Sequence, residues 1–527
     1  MNPTTFFHIA AFFSGMAIMG VEVSASRLLA PYFGSSMITW TILIGIILTA
    51  MSLGSRFGGR LADSCDRPDR LFRLLFWCAI WVALTPWLGR YLMTAALFGM
   101  IVAVPGQALP LGVLLSCLLI FAPPCFVLGM VSPFLLRFTL PDTAATGRTA
   151  GDLGALSTVG SIFGTFLPTF VSIPYLGSTR TFLLFAAVLG LISLAYFRLV
   201  SPESNRAGSG SLLVVLMLCA LPVLPLRPSF AFWTASILED ESVYNYLRVA
   251  REYGGLQLST HTLIGRQSIA RDDGVMTGNY WDYAMLAPFF RDNPRFEKPL
   301  RLLVLGYGAG TISRICRFFF PASTITGVEI DPAIAALGSV YFGVKPGQDE
   351  VVIEDARTFL TRTERTWDMV VLDAYHDISI PFHLTTAEFW YQVKSRLASD
   401  GVVAVNYNLP FAADLELSES LVQTMKSVFP RVFVCPVRNE VNSIFIATMA
   451  KDSRLPDPMH AQVGEDHILY PVFKAFLAQH REIVDTAKIL TDDFAPVEWL
   501  SNRALGNVIR DGIAIAKVRA IHALRTL

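Results

Sequence analysis

Six apolar stretches dominate the first 200 residues: Phe6–Pro31, Met37–Gly54, Leu74–Leu88, Leu111–Leu136, Leu153–Tyr175 and Thr181–Phe197. Most approach the ~20 residues that a helix needs to cross a hydrocarbon core. Lipid offers no partner to backbone polar groups, so such segments are restricted to packed helices. Two shorter runs leave the count between six and eight spans. They are Tyr91–Val104 and Ser211–Leu226, the latter carrying Pro222 and Pro225. The first stretch does not read as a signal peptide, because it lacks a basic start and contains Glu22 and Arg27.

Charge divides the chain in the same place. Of the 42 basic residues, 13 fall in residues 1–230, all arginine, beside 7 of the 42 acids. The remaining 297 residues therefore hold 29 bases and 35 acids. The chain reads as a multi-span domain over residues 1–228 and a soluble part after it. A net-acidic soluble part argues against nucleic acid, which needs a basic footprint. The seven cysteines form no C-x-x-C pair and sit mostly among apolar residues, so buried thiols are expected rather than a disulfide framework or zinc site.

Arginine also orients the spans. Arg56, Arg60, Arg67, Arg70 and Arg73 crowd one loop, Arg137 and Arg148 a second, Arg198 and Arg206 a third. With six spans these loops share one side with the N-terminus, and that side is cytoplasmic by the positive-inside rule. Full crossing by Ser211–Leu226 would place the soluble part outside; otherwise it stays inside. Within the first span, Glu22 and Arg27 are five apart and do not share a helical face. Ionisable groups at such depth are functional candidates, or pair with other helices. The glycines Gly54, Gly58, Gly59, Gly147, Gly151, Gly154, Gly160 and Gly164 fit close helix packing.

From Glu239 the pattern changes. Val243–Val249, Leu256–Ser259 and Gln267–Ala270 read as short antiparallel strands, with a turn at Gly254-Gly255, forming a β cap over residues 239–290. Residues 291–527 then read as an α/β Rossmann-like, methyltransferase-type domain. Arg301–Leu305 is an apolar strand that runs into Gly306-Tyr-Gly-Ala-Gly310, a helical stretch at Thr311–Phe320, a strand at Thr324–Val328, and Glu329. Strand, glycine loop, helix, strand and acid make a nucleotide-binding unit, with glycines for close approach, a helix N-terminus for anions and an acid for ribose. The G-x-G-x-G spacing favours a mononucleoside such as an adenosyl group over a dinucleotide. Asp355 and Asp373 close the next two strands, Val351–Ile353 and Met369–Leu372, where ligands of such sheets bind. Either could instead cap a helix. Gly401–Asn406, Arg431–Pro436 and Ser443–Met449 complete the strands.

At these residues the chain resembles the spermidine synthase (polyamine aminopropyltransferase) family, and more closely bacterial membrane proteins in which such a domain follows a multi-span region. The likeness rests on Phe13-Ser-Gly15, Glu22, Arg27 with Leu28–Gly34, and Gly129-Met-Val-Ser-Pro133 in the first part. In the second it rests on Gly306–Gly310, Val328-Glu-Ile-Asp331, Glu354-Asp-Ala356, Val371-Leu-Asp373, Ile380-Pro-Phe-His-Leu-Thr385 and Leu490-Thr-Asp-Asp-Phe-Ala-Pro496. The resemblance implies a multi-pass protein of the bacterial inner membrane, with its catalytic domain on the cytoplasmic side. It implies transfer of an aminopropyl group from decarboxylated S-adenosylmethionine to an amine, without a metal. By the same likeness, Gly306, Gly308, Gly310, Glu329, Asp355, Ala356 and Gln267 would hold the donor. Asp373 would be the acid at the amine and Tyr280 would line the pocket, both counted as catalytic. From its own chemistry His376 is a further catalytic candidate as a base near neutral pH, or else a loop histidine facing solvent. Tyr244, Trp281, Tyr375, Asp377 and Asp492 are candidates for the acceptor site, though Trp281 could instead be a core aromatic, Tyr375 could only close the pocket and Asp492 could cap a helix.

Several positions depart from the family pattern. Ala309 stands where soluble members carry an acid for the aminopropyl ammonium. Trp281 replaces a histidine after the pocket tyrosine, Asn245 a glutamine, and His376 an acid next to Asp377. These departures keep two other expectations open. One is a methyltransferase, or an enzyme that cleaves intact S-adenosylmethionine. The other is a polyamine transporter or sensor with a non-catalytic nucleoside domain, suggested by Glu22 and Arg27. A homodimer is compatible with the sequence.

Overall fold

The computed structural model describes residues 2–140, 146–201, 209–252, 254–262, 265–292, 296, 298–375, 380–438, 441–450, 458, 463–481 and 487–526. The chain forms two compact units, Met1–Phe232 and Trp233–Leu527.

Among the described residues the first unit contains six helices long and apolar enough to cross a membrane: Pro3–Phe33, Met37–Asp63, Asp69–Ala103, Pro105–Thr139, Thr146–Leu176 and Ser178–Val200. Tyr91–Val104 is no separate segment, because it continues the third helix without a break except for its last residue. Pro86 lies inside that helix and is tolerated there. Ser209–Ala220 is a helix of 12 residues, followed by a single 3-10 turn at Leu221–Val223. At 1.5 Å per residue it spans only about 18 Å, short of a hydrocarbon core of about 30 Å.

Glycine sets the closest helix contacts. A Cβ on Gly160 would lie 1.9 Å from the Phe12 carbonyl oxygen, and one on Gly54 would lie 2.0 Å from that of Phe126. The first helix is thereby pressed on the fifth, and the second on the fourth, backbone against backbone. Gly147, Gly151 and Gly154 differ from expectation, since nothing lies within 4 Å of where their Cβ would be. Among the described residues none of the three is the point of a close helix approach.

The second unit begins with four antiparallel strands in sequential order, β1 (Leu238–Glu241), β2 (Tyr246–Glu252), β3 (Gly255–Ser259) and β4 (Ser268–Arg271). The sequence gives no sign of β1, whose Leu-Glu-Asp-Glu has no apolar alternation. It is held by pairing instead: Glu239 faces Arg248 across the ladder and accepts a 2.7 Å hydrogen bond from the Tyr246 hydroxyl. Val243 lies in the β1–β2 turn rather than in a strand.

Seven further strands form one sheet: β5 (Arg301–Leu305), β6 (Thr324–Glu329), β7 (Glu350–Ile353), β8 (Trp367–Leu372), β9 (Leu397–Tyr407), β10 (Arg431–Pro436) and β11 (Ser443–Thr448). Their order is β10-β11-β9-β8-β5-β6-β7. β5 to β9 run parallel, and β11 and β10 add an antiparallel edge. Both faces are covered, which is why β5 reads as an unbroken apolar run. Leu302 and Val304 join one core with Ile312, Ile315 and Phe319 of the helix Thr311–Phe319. Leu303 and Leu305 join the opposite core with Phe359, Phe389, Trp390 and Leu421 from helices on the other face. This is a mixed α/β, Rossmann-like domain, with the carboxyl ends of β5, β6, β7 and β8 aligned along one edge.

The packing predicts opposite outcomes for two glycines of the fifth long helix. Gly160→Ala should destabilise the protein by about 1–3 kcal/mol through overpacking. Gly151→Ala should be neutral or stabilising by up to about 1 kcal/mol, because alanine favours helix. Thermal unfolding in detergent measures both.

Candidate active site

The glycine loop leaves β5 with three left-handed residues, Gly306 (φ 85°), Gly308 (φ 58°) and Gly310 (φ 86°). Sterics as well as φ fix the first two positions. A Cβ on Gly306 would lie 2.5 Å from the Asp373 carbonyl oxygen, and one on Gly308 would lie 2.8 Å from Ser268 Oγ. The loop is thus clamped between the end of β8 and the cap. Tyr307 turns its ring onto Gly327 of β6, and its hydroxyl donates to Asp349 at 2.7 Å.

Glu329 ends β6 and is buried, with 8% of its surface exposed. Its Oε2 accepts the Gly308 N–H at 2.8 Å and its Oε1 the Asp331 N–H at 3.0 Å. Burial raises its pKa, and the two backbone donors oppose that rise. Asp331 caps the following helix through Ala333 N and accepts from Asn245 Nδ2 at 2.9 Å, tying the cap to the nucleotide unit. That contact gives Asn245 a bridging place.

Asp355 caps the helix Ala356–Arg362, accepting Thr358 N at 2.9 Å, and its other oxygen lies 3.2 Å from His383 Nε2. The His383 contact and the Thr358 donors hold its pKa down at about 2. Ala356 is the first residue of that helix and is buried. Ile330 and Ile353, 43% and 48% exposed, offer apolar surface beside these acids. The sequence reading passed over both isoleucines, since exposure cannot be seen in a buried-strand pattern.

Asp373 follows β8, and three donors converge on its carboxylate. Tyr280 Oη (3.0 Å) and Trp281 Nε1 (3.1 Å) reach Oδ2, and Asn406 Nδ2 (2.8 Å) reaches Oδ1. Desolvation raises its pKa to about 7; the three donors pull it down, and the nearby Glu329 charge pushes it up. Asn406 is itself held, since its Oδ1 accepts Asn442 Nδ2 at 2.8 Å. Asn406 in β9 and Asn442 just before β11 were missed because a buried asparagine carries no sequence signal of its own. Tyr375 hydrogen-bonds the backbone of β9, donating to Asn406 O and accepting Asn408 N at 2.9 Å.

Beside Asp373 opens a cavity of about 870 Å³. Tyr280, Trp281, Tyr375, Gln267, Asn406 and Asn442 are among its lining residues. Gln267 Nε2 reaches Thr260 Oγ1 at 3.2 Å. Two expected acceptor residues stand elsewhere. Tyr244 lies in the β1–β2 turn, 43% exposed, and does not contribute to the described lining. Asp492 is paired bidentately with Arg357 at 2.7 and 2.6 Å and accepts from Thr386, so its charge is spent on fastening the chain near Asp355. His376 and Asp377 lie outside the described residues. Ala309 is fully buried with Leu247, Val249 and Leu258 of the cap, so a side chain there points into packing rather than into the cavity. Among the described residues no group of three or more His, Cys, Asp or Glu could hold a metal ion.

Residues 291–457 match the family described as the spermine/spermidine synthase domain. The chain is 31% identical over 337 residues to the "Probable polyamine aminopropyl transferase" of Bifidobacterium longum, covering 60% of this chain and 73% of that one. It is 28% identical over 216 residues to the polyamine aminopropyltransferase of Vibrio vulnificus, covering 38% and 70%. It is also 31% identical over 174 residues to the eEF1A lysine and N-terminal methyltransferase of Bos taurus, covering 31% and 24%. The chain belongs to the polyamine aminopropyltransferase (spermidine synthase) family, and it is a transferase.

Three donors on one carboxylate predict a pH effect. Hydrogen bonds to the ionised form lower a pKa, so Trp281→Phe should raise that of Asp373. The acidic limb of kcat/KM, expected near pH 7 in the wild type from the raised Asp373 pKa, should move upward by about 0.5–1 pH unit, the worth of one such bond.

Proposed function

We propose that this chain is an integral membrane aminopropyltransferase of the bacterial inner membrane, working on its cytoplasmic side with decarboxylated S-adenosylmethionine and an amine acceptor. The observation that carries it is the Asp373 carboxylate, held at the end of β8 beside a cavity, with a pKa raised to about 7. An alkylammonium cannot attack carbon. A carboxylate with that pKa is matched to taking its proton near neutral pH. Tyr280, Trp281 and Asn406 fix the orientation of Asp373.

The donor fits the residues across the edge from Asp373. Glu329 would take the ribose hydroxyls, Asp355 the adenine amino group, and the amides of the Gly306–Gly310 loop would lie along the chain between them. The donor supplies a carbon activated by sulfonium. As the C–N bond forms and the C–S bond breaks, the electron pair stays on sulfur and methylthioadenosine leaves neutral. No oxyanion hole or metal is needed, so positioning supplies much of the rate.

Six helices of spanning length and the arginine-rich loops between them support membrane integration. The seventh apolar helix is too short to cross, which leaves an even number of crossings. In this reading the catalytic domain is cytoplasmic, where S-adenosylmethionine derivatives are made.

Ala309 favours a second reading. With no acid there to select the ammonium of the decarboxylated donor, intact S-adenosylmethionine would be admitted and methyl transfer would result. The two readings separate on product. Purified protein given decarboxylated S-adenosylmethionine and putrescine should release methylthioadenosine. Glu329→Ala should raise the donor KM by about 10-fold or more, the worth of charge-assisted hydrogen bonds of about 1.5–3 kcal/mol. Absence of methylthioadenosine with every amine tried would overturn the proposal.

A further inference from the structure

Two sequence motifs lie outside the hydrogen bonds that hold Asp373: Ile380–Thr385 and Leu490–Pro496. The fold brings them to one place. Ala387 N donates to Leu490 O at 2.9 Å, and Thr386 Oγ1 donates to Asp492 Oδ1 at 2.7 Å. Arg357 joins both motifs, since it pairs with Asp492 and its Nη1 donates to His383 O at 3.0 Å. Arg357 stands two residues after Asp355, in the first turn of the helix that Asp355 caps. His383 is thus held through its backbone beside that acid.

The ring of His383 completes the arrangement. Its Nε2 lies 3.2 Å from Asp355 Oδ2. The other oxygen, Oδ1, accepts Thr358 N at 2.9 Å and Thr358 Oγ1 at 3.1 Å. The helix cap is therefore satisfied without the histidine. Packing does not require the ring either: the side chain is 35% exposed, and the neighbouring Leu384 enters the core instead. The His383 contact, ahead of the Thr358 donors, holds the Asp355 pKa at about 2, so the carboxylate is ionised and can only accept. Nε2 must then be the donor.

A carboxylate has room for about four hydrogen bonds. Thr358 and His383 supply three, and they fix the direction from which a fourth donor must arrive. The Asp355 side chain is 33% exposed, so a ligand can reach it, and Ile330 and Ile353 are exposed at the same strand ends. We propose that His383 is a positioning residue, whose Nε2–H turns the open side of the Asp355 carboxylate towards the 6-amino group of the donor's purine and so sets a preference for aminopurine nucleosides. This rests on the proposed contact of Asp355 with adenine. Without the histidine the carboxylate would keep its helix cap but lose the partner that fixes Oδ2, and ordering it would fall to the ligand.

Calorimetric binding to the detergent-purified full chain tests this with two probes: methylthioadenosine, and the same nucleoside with hydrogen in place of the 6-amino group. Wild type should bind methylthioadenosine about 10-fold or more tightly than the deamino probe, the worth of a hydrogen bond to a charged acceptor. His383→Ala should narrow that ratio by about 3–10-fold, by weakening methylthioadenosine. His383→Gln, which places an amide N–H near the position of Nε2, should restore it. The ratio does not depend on the fraction of protein that folds. A histidine that only supports the fold would weaken both probes alike; an unchanged ratio in His383→Ala, or no restoration in His383→Gln, would overturn the proposal and leave the adenine contact standing. Equal binding of the two probes by wild type would overturn the adenine contact, and the proposal with it.

Discussion

The carboxylate of Asp373 gathers three donors from two distant parts of the chain: Tyr280 and Trp281 from the helix that follows β4, and Asn406 from β9. Each donor would be expensive to bury without this acceptor, and the acceptor would be expensive to bury without them. The helix after β4, the end of β8 and β9 are fixed relative to one another at that point. Gly306 belongs to the same junction, because its approach to the Asp373 carbonyl leaves no room for a side chain. The glycine loop and the Asp373 carboxylate are therefore neighbours by construction. The cost is electrostatic: two buried acids, Glu329 and Asp373, share one edge, and both have raised pKa values. A cationic ligand between them would relieve that cost.

Much of this was legible in the residues, for a physical reason. A strand buried on both faces must be apolar throughout, and a loop that bends back over its neighbour must be glycine. Arg301–Leu305 and Gly306–Gly310 carry both signs, and they locate Glu329 and Asp373 by strand-end position alone. What was not legible depends on long-range partners. Asn406 and Asn442 look like any polar residues until β9 and β11 pair. Asp492 looks like a substrate acid until Arg357, 135 residues earlier, takes both its oxygens. β1 has no pattern to find, because pairing to β2 and not apolar burial makes it a strand. Asp355 does cap a helix, and one oxygen does that while the other faces His383.

The two changes from the family pattern that bear most on the site have different consequences. Trp281 preserves a donor: its indole N–H reaches Asp373 and leaves that carboxylate fully ligated. Ala309 preserves nothing polar, since its side chain belongs to the apolar packing between cap and helix. Under the proposed function, recognition of the donor's ammonium would come from elsewhere along the edge, where the acids Glu329 and Asp373 stand. In the helical unit the same logic applies in a poorer solvent. Gly54 and Gly160 allow backbones to touch where no hydrophobic force drives association, and Trp81 Nε1 of the third long helix donates to the Ile120 carbonyl, for which Pro124 offers no N–H.

Calorimetric binding to the detergent-purified full chain of decarboxylated S-adenosylmethionine against intact S-adenosylmethionine tests the central claim most directly. The edge formed by Glu329 and Asp373 is acidic and, among the described residues, pairs with no cation. It should favour the donor that lacks a carboxylate, so the decarboxylated form should bind more tightly. Tighter binding of intact S-adenosylmethionine would contradict the account and make the chain a user of the unmodified cofactor.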